Sequence, residues 1–200
     1  MPQFDLRGIK CAKYVNTNGV ITYTNAQKVG DAMTANLELR FAEGRLYAES
    51  SLAEYMRKAT GGTISLGVKY ILAAAQQLMF GSTSKSRSIS YIPVGSSATS
   101  TASVSGLVIG KKTQGAYVGV AFYAPDMIDG VEKYTCVFCR KALFGPPSMA
   151  LQTAGESIQF NTPTTSGEFL ADDSAAGDMF EVAVADDENE AIAWVTAVLQ

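Results

Sequence analysis

Cys136 and Cys139 form a C-x-x-C spacing, which in other proteins holds zinc or carries out thiol redox chemistry. The pair lies in the alternating run from Tyr134 to Lys141, which favours a β-strand. Residues three apart on a strand point to opposite faces, so the two sulfur atoms diverge. Cys11 brings the cysteine count to only three, whereas a structural zinc site takes four ligands and the chain has no histidine. The spacing therefore predicts a structural role for these cysteines and no metal site.

Histidine is absent from all 200 residues, which limits the chemistry open to this chain. Histidine is the side chain most used for acid–base catalysis near neutral pH and for binding transition metals. Ser-His-Asp and Cys-His arrangements are therefore excluded within one chain. Serine–lysine and carboxylate pairs remain possible, but no spacing singles one out. We expect no catalytic residue, no cofactor and no metal ion.

Two further motifs have the composition of ligand sites without the required spacing. Residues 110–113, G-K-K-T, share residue types with a phosphate-binding loop, but Ser105 stands where that loop needs its first glycine, and Gly106 is one residue too close. The aspartates between 172 and 187 contain no D-x-D-x-D-G calcium loop. A basic turn and a solvated acidic loop are the favoured interpretations, with a weak calcium contact at a subunit boundary as the alternative for the acids.

Length and composition predict one folded domain over residues 1–200. Apolar residues make up 47% of the chain and charged residues 18%, which is typical of a globular core. The chain lacks an apolar run of the roughly 18 residues that a membrane span needs, so no membrane segment is expected. The N-terminal residues lack the apolar centre of a secretory signal, and an odd number of cysteines suits a reducing compartment. We expect a protein made and folded in a cytoplasm.

Charge divides unevenly along the chain. Residues 1–141 hold all 16 lysines and arginines against 9 acids, a net charge of +7, and residues 142–200 hold 10 acids and no base. One interpretation is a solvated acidic surface, because charge runs usually serve solubility. The other is head-to-tail self-association, in which an acidic face meets a basic face of the next copy.

Hydrophobic alternation predicts a mainly β, antiparallel fold. Strands are expected at 9–15, 20–24, 34–41, 45–49, 63–70, 117–123, 129–141 and 156–162. Asn18-Gly19 and Asp129-Gly130 are hairpin signals, and Ala42-Glu43-Gly44 reads as a turn. The second turn is expected to include Pro125 and Asp126. Gly61 and Gly62 indicate a turn or bulge.

The remaining segments are predicted from composition and period. Residues 1–8 read as an arm, and 71–80 as a short helix that Gly81 ends. Residues 82–105 are rich in serine and threonine and read as a long loop, with a short strand possible at 88–94. Residues 171–200 are expected to hold an acidic segment and a C-terminal helix with Trp194 as a packing anchor. Residues 50–59 fit a short amphipathic helix, because Leu52, Tyr55, Met56 and Ala59 fall at helical spacing.

Four segments together resemble the major tail protein of long-tailed, non-contractile bacteriophages. They are T-G-G-T-I-S-L-G-V (Thr60 to Val68), Y-V-G-V-A-F-Y (Tyr117 to Tyr123), D-G-V-E-K-Y (Asp129 to Tyr134) and G-E-S-I-Q-F-N-T-P-T (Gly155 to Thr164). Their order and spacing carry the likeness. It implies a tail-tube β-sandwich with a flanking helix, and no enzymatic activity. The resemblance implies an extended segment or a loop at 50–59 instead of a helix. That segment and the 82–105 loop depart from the family pattern, and each is either an inter-ring contact or an insertion.

The resemblance also implies an assembly. Subunits of this family form hexameric rings that stack into a tube in the virion tail. A tape-measure protein fills the bore, tail terminator and distal tail proteins meet its ends, and DNA passes through without specific contacts. The candidate lumen or ring-contact positions are Glu38, Arg40, Glu49, Ser65 and Lys69. We expect a neutral-to-acidic bore, since a basic lining would hold DNA phosphates, although Arg40 and Lys69 argue against it.

A different class of function is a monomeric β-sandwich that binds carbohydrate or serves in adhesion. Such a module would need clustered exposed aromatic rings. Tyr117, Phe122, Tyr123, Tyr134 and Phe138 fall instead in alternating strands that favour the core, which makes this alternative weaker. An enzyme ranks third, because no constellation of side chains supports one.

Overall fold

Alternating side chains place most of the chain in antiparallel strands, as the sequence predicts. The computed structural model of the protein describes residues 5–48, 51–148 and 162–200. Its elements are β1 (Arg7–Thr17), β2 (Val20–Lys28), β3 (Ala32–Ala48), β4 (Ser51–Val68), α1 (Ala73–Phe80), β5 (Thr83–Tyr91), β6 (Ser100–Val108), β7 (Val118–Ile128), β8 (Val131–Phe144), β9 (Thr164–Phe169), β10 (Phe180–Ala185) and α2 (Glu188–Ala197). The described residues contain no helix long and apolar enough to cross a membrane.

The described strands form one large sheet and one small one. The large sheet has the order β2-β1-β7-β8-β9-β4-β3, and β10 pairs with β8 outside this path. The strands β5 and β6 pair with each other as a separate two-stranded sheet. Every pairing is antiparallel. The mainly β, antiparallel, sandwich-like fold predicted from the sequence is confirmed, with a short internal helix and a C-terminal helix.

The larger hydrophobic core lies between two parts of the same sheet. Ile64 and Leu66 of β4 pack with Val118 and Val120 of β7, and all four side chains are fully buried. Phe169 of β9 closes this core beside α1 and β8. An apolar sheet face must be covered to be stable, and here the β4 end of the sheet covers the β7 part.

A second core lies on the other face of β1, β7 and β8, under α2. Val195 and Leu199 are buried in the same cluster as the aromatic rings of Tyr23 and Phe138, whose centroids are 5.2 Å apart in an edge-to-face arrangement. The Asp187 side chain caps α2 by accepting the Asn189 backbone N–H at 2.6 Å. Trp194 packs against this core, which confirms its expected structural role.

The residues at the two predicted hairpin turns adopt the backbone conformations that such turns require. Asn18 and Gly19 have φ values of 54° and 85°, and Asp129 and Gly130 have 53° and 79°. These left-handed conformations at both central positions match the two-residue turns that join twisted strands. Pro125 and Asp126, expected in the second turn, lie inside β7 instead. Gly81 ends α1 at φ 66°, as predicted.

The turn predicted at residues 42–44 is wrong, because β3 continues through it. Gly44 pairs with Met56, so residues 41–48 and 51–60 form a hairpin arm, called the β3–β4 ribbon. The 50–59 segment is accordingly extended and not helical from Ser51 onward. Register shifts at Ala53 and Thr60 insert two bulges into β4. Each bulge moves the apolar positions off the two-residue period, which gave the sequence a helical appearance.

The loop predicted at 82–105 is also wrong, because β5 and β6 form a hairpin there, called the β5–β6 ribbon (residues 83–108). Its side chains are mostly exposed, so neither face carries the buried apolar alternation by which strands are recognised. The hairpin includes most of the possible strand at 88–94.

Three other boundaries differ from the predictions or fall outside the description. The expected arm at residues 1–8 overlaps β1, which begins at Arg7. The predicted strand at 156–162 lies outside the described residues except for residue 162, which precedes β9. The acidic segment after residue 171 contains a strand, β10, that alternation did not reveal.

Candidate functional site

A polar surface covers the outward side of β3, β4 and β9, and we call it the polar face. Its members are Thr34, Asn36, Glu38, Arg40, Thr63, Ser65, Ser166 and Glu168, which are cross-strand neighbours in the register of the three strands. Strand alternation turns the intervening side chains, such as Ile64 and Leu66, into the core. The polar face is therefore a fixed consequence of burying the opposite side.

The structure brings three of the five predicted positions together on the polar face. Glu38 and Arg40 are exposed on β3, and Ser65 is half-buried beside them on β4. Lys69 is exposed but follows the last residue of β4, outside the strand register. Glu49 lies outside the described residues.

Ser166 and Glu168 of β9 were not among the candidate positions predicted from the sequence, and neither were Thr34, Asn36 and Thr63. Their signal is the alternation of Ser166 and Glu168 with the buried Thr165 and Phe169. Glu168 accepts a hydrogen bond from Arg40 Nη2 at 2.6 Å, so it neutralises the cation that argued against an acidic surface. The polar face consequently carries opposite charges side by side.

The outer edge of β3 is open over its 17 residues in the described part of the chain. The Val68 N–H donates to Pro163 O at 3.2 Å, so the backbone N–H and C=O groups of Val68 point toward the β9 side of β4. The alternate residues of β4 therefore bond to β3, and their partners on β3 are the even-numbered ones, such as Asn36. Ala35, Leu37 and Leu39 consequently point their N–H and C=O groups away from β4. An edge of this kind is a template for another strand.

The β3–β4 ribbon presents large apolar side chains to solvent. Leu46, Tyr47 and Met56 are 59%, 62% and 73% exposed, and β9 pairs with β4 only over Gly62 to Gly67. Monomeric proteins rarely expose contiguous patches of such side chains, which are more typical of interaction sites.

Most acids near the C-terminus are paired within the chain, contrary to an unpartnered acidic face. Arg140 contacts Asp172 at 3.4 Å, Asp178 at 3.6 Å and Glu181 at 3.3 Å. Lys133 with Asp186 and Arg7 with Glu188 are each 2.7 Å apart. The acidic segment thus attaches to the basic part of its own chain.

Asp173 ties the acidic segment to β1 and β8. Its carboxylate accepts hydrogen bonds from Lys141 Nζ at 2.6 Å, Tyr14 Oη at 2.9 Å and Asn16 Nδ2 at 3.2 Å. These bonds, led by that of Lys141, lower the pKa of Asp173 to about 2. The ionised form is therefore favoured in the folded protein.

Asp173→Asn is expected to reduce the loss of folding stability that accompanies a fall in pH. A carboxyl group with a lowered folded-state pKa stabilises the fold fully above its unfolded pKa, about 3.9, and loses that contribution as pH falls toward 2. Urea midpoints measured from pH 6 to pH 2 should therefore fall less in this variant than in the wild type. Glu38→Gln, which removes an exposed carboxylate of the polar face, is the control; an equal effect in both variants would contradict the assignment.

The cysteines and aromatic rings do not form a ligand site in the described residues. Cys139 lies in the larger core and Cys136 in the second core, as the strand argument predicts. All three thiols are buried, and burial raises the pKa of Cys11 and Cys139 to about 12. The described residues hold no group of three or more Cys, Asp or Glu side chains that converges as a metal site.

The aromatic rings weighed for a carbohydrate-binding module lie mainly in the cores. Phe122, Tyr123 and Phe138 are buried and Tyr134 is half-buried. Tyr117 is 39% exposed, with Lys141 Nζ 5.1 Å from its ring centroid. These five residues therefore offer no exposed stacking platform.

No protein-family model matches this sequence, and no curated protein is significantly similar to it. A functional conclusion consequently depends on the surfaces described above.

Proposed function

We propose that this chain is a structural subunit that associates with identical copies through open strand edges, as stacked hexameric rings of a bacteriophage tail tube. The observation that carries the proposal is the long outer edge of β3, which no described strand covers, beside a polar sheet face. A strand edge of one copy covers that edge in the next copy, and a contact that closes by rotation gives a ring.

The polar face supplies the lining of the bore in this proposal. Glu38, Arg40, Ser65 and Glu168 then face the lumen, and Lys69 lies near its rim. The ion pair between Arg40 and Glu168 limits attraction for phosphate, which suits passage of DNA without tight binding. A tape-measure protein occupies the bore before ejection, and terminator and distal tail proteins meet the ends of the tube in the virion.

The exposed ribbons support association in a second direction. The β3–β4 ribbon continues past the residues of β4 that β9 covers, the β5–β6 ribbon pairs with no other described strand, and both present apolar side chains to solvent. Rings that stack need contacts of this kind in addition to contacts within each ring. No catalytic step is part of this function, and the proposal assigns no active site.

Negative-stain microscopy and light scattering of the purified protein over a range of concentrations test the proposal. We expect six-subunit rings or tubes, with a mass that rises with concentration. A 21.2 kDa monomer at every concentration and salt condition would contradict it.

A further inference from the structure

The two faces of the β5–β6 ribbon differ in chemistry. Cross-strand partners share a face in an antiparallel ladder. One face, called the hydroxyl face, consists mainly of serine and threonine, with the Ser86 and Ser105 hydroxyls 2.7 Å apart. The other face, called the basic face, combines cations with apolar side chains; it holds Lys85, Arg87, Ile89, Tyr91, Val104 and Val108. The ribbon is therefore amphipathic, although neither of its faces is buried.

The turn that follows β5, called the apolar turn (residues 92–96), exposes further large side chains. Ile92 is 62% exposed, Val94 is fully exposed, and Tyr91 of the basic face is half-exposed directly before them. The Ser96 N–H donates to the Pro93 carbonyl at 3.0 Å, and proline itself has no N–H that needs a partner. Exposed apolar side chains that lie together in this way are typical of an interaction site.

The charge of the ribbon is opposite in sign to that of the rest of the chain. The segment from Gly81 to Pro125 contains four lysines and arginines and no acid. None of these four cations forms an ion pair among the described residues. The whole chain has a net charge of −3, so the residues outside this segment carry −7. An anionic partner is therefore attracted to the ribbon and repelled by the remaining surface.

A groove of about 320 Å³ lies along the basic face and brings the two kinds of side chain together. Gly106, opposite Lys85 in the ladder, has no side chain, and a Cβ added there would meet no atom within 4 Å. Val104 and Val108 line the groove on either side of this glycine, and Lys85 and Arg87 line it from β5. Cations beside apolar walls suit a ligand whose anionic group is attached to an apolar chain.

We propose that the basic face and the apolar turn of the β5–β6 ribbon form a peripheral binding site for an anionic phospholipid surface. This inference goes beyond the proposed assembly and does not depend on it. An amphipathic segment of this kind lies at the boundary between headgroups and acyl chains, with its apolar side buried to a depth of roughly 5–10 Å. The hydroxyl face remains in water.

Each group of side chains has a place in this arrangement. Ile92 and Val94 enter the apolar boundary. Lys85 and Arg87 extend their aliphatic stems along the surface and place their charged groups at lipid phosphates. Tyr91 lies between these two levels, where an apolar ring with a polar hydroxyl is favoured.

Other partners match only part of this surface. A nucleic-acid backbone would pair with Lys85 and Arg87 but leave Ile92 and Val94 in water. A neutral apolar pocket on another copy would cover the apolar turn but supply no counter-charge for the two cations. The β3–β4 ribbon, which continues strands of the polar face, remains available for contacts between rings.

Vesicle flotation tests the site with the purified full chain. One set of vesicles contains phosphatidylglycerol and phosphatidylcholine in equal amounts, and the other contains phosphatidylcholine alone. We expect at least about tenfold tighter binding to the anionic vesicles, since each lysine or arginine at an anionic surface adds to the attraction. That difference should shrink as salt is added. Equal affinity for both kinds of vesicle would overturn the proposal.

Replacing the two exposed side chains of the apolar turn tests its insertion. Ile92→Ser combined with Val94→Ser is expected to weaken binding to the anionic vesicles at least about tenfold, because two large apolar side chains are lost. Leu46→Ser combined with Met56→Ser is the matched control on the β3–β4 ribbon, where both side chains are also exposed. It should leave vesicle binding unchanged, and a similar loss in both variants would contradict the assignment.

A charge reversal tests the cations of the basic face. Lys85→Glu combined with Arg87→Glu is expected to weaken binding to the anionic vesicles at least about tenfold. Lys111→Glu combined with Lys112→Glu changes the net charge equally but lies outside the β5–β6 ribbon, so it should have a much smaller effect. Circular dichroism verifies that each variant is folded. Losses of the same size would show that net charge acts and not this face.

A fluorescent side chain reports the depth of the turn directly. Val94→Trp places an indole at the apolar turn, and vesicles that contain brominated phosphatidylcholine should quench its emission. Trp194 is the only native tryptophan and packs against the second core, so the wild-type protein supplies the background signal. Emission that no brominated lipid quenches would exclude insertion.

The outcomes separate this inference from the proposed function. Vesicle binding by a protein that never assembles would support the lipid site and contradict the tail-tube proposal. Normal rings or tubes without any vesicle binding would overturn the lipid site alone. Loss of assembly in the Ile92 and Val94 variant, with vesicle binding unchanged, would assign the turn to a contact between copies. Binding to a DNA oligonucleotide in a gel-shift assay, with no binding to vesicles, would assign the basic face to nucleic acid instead.

Discussion

Ala35→Pro is expected to prevent ring and tube formation while the monomer remains folded. The N–H of Ala35 points away from β4 to the open edge, so its loss leaves the β3–β4 ladder intact. A partner strand that docks there would lack one donor, and its buried carbonyl would go unsatisfied at a cost of about 1–3 kcal/mol. That cost corresponds to roughly 5- to 150-fold weaker association at each interface. Sedimentation velocity measures the assembly, and circular dichroism measures the fold.

Two variants control this experiment. Ala35→Val adds a similar number of carbon atoms but keeps the N–H, so it should still assemble. Asn36→Pro removes an N–H that bonds to β4, so it should lower monomer stability, unlike the edge variant. Normal assembly of Ala35→Pro would show that the β3 edge is not an interface between copies.

Phe169→Ala is expected to cause a large loss of stability. Phe169 is fully buried in the larger core, where it lies opposite Gly62 of β4 and Ala142 of β8. A Cβ added at Gly62 would lie 2.3 Å from the Phe169 ring, so the ring occupies the space that this glycine leaves. Removing a buried phenylalanine costs about 3–5 kcal/mol through lost burial and a residual cavity. Urea unfolding monitored by circular dichroism measures the change.

The matched control is Phe41→Ala, at a phenylalanine of the β3–β4 ribbon. Phe41 is 38% exposed and stacks under Arg57, whose guanidinium carbon is 3.7 Å from the ring centroid. Its removal should cost about 1–2 kcal/mol, because the side chain is only partly buried and leaves no enclosed cavity. Similar losses in both variants would contradict the assignment of Phe169 to the core. Typical domains have about 5–15 kcal/mol of stability, so the first variant would be marginal.

The electrostatic interpretation changes once the fold is known. The sequence places ten acids and no base in residues 142–200, which suggested an acidic face ready for another copy. Arg140, Lys141 and Lys133 instead bind several of these acids within the chain. Lys85 and Arg87, which have no ion pair among the described residues, lie on the β5–β6 ribbon, a segment that composition alone indicated as a loop.

Local rules predicted the elements whose signals lie close together along the chain. Alternation gave the strands around Ile64 and Val120, Asn-Gly and Asp-Gly gave two hairpin turns, and Gly81 gave the end of α1. Alternation also placed Glu38, Arg40 and Ser65 on one side of their strands. Alternation did not predict the β3–β4 ribbon, because two bulges interrupt the two-residue period of β4. It did not predict the β5–β6 ribbon either, because neither face of that ribbon is buried.

The amino-acid sequence by itself determined a β-rich chain without histidine chemistry, because side-chain period and residue type are local properties. Only the tertiary structure decided which strand edges stay open, which acids find a cation, and where Asp126 lies. Arg40 and Glu168 meet across 128 positions, and Tyr14 and Asp173 across 159. Contacts over such separations depend on how the sheet curls and which strands become neighbours, and no local pattern of side chains specifies that pairing.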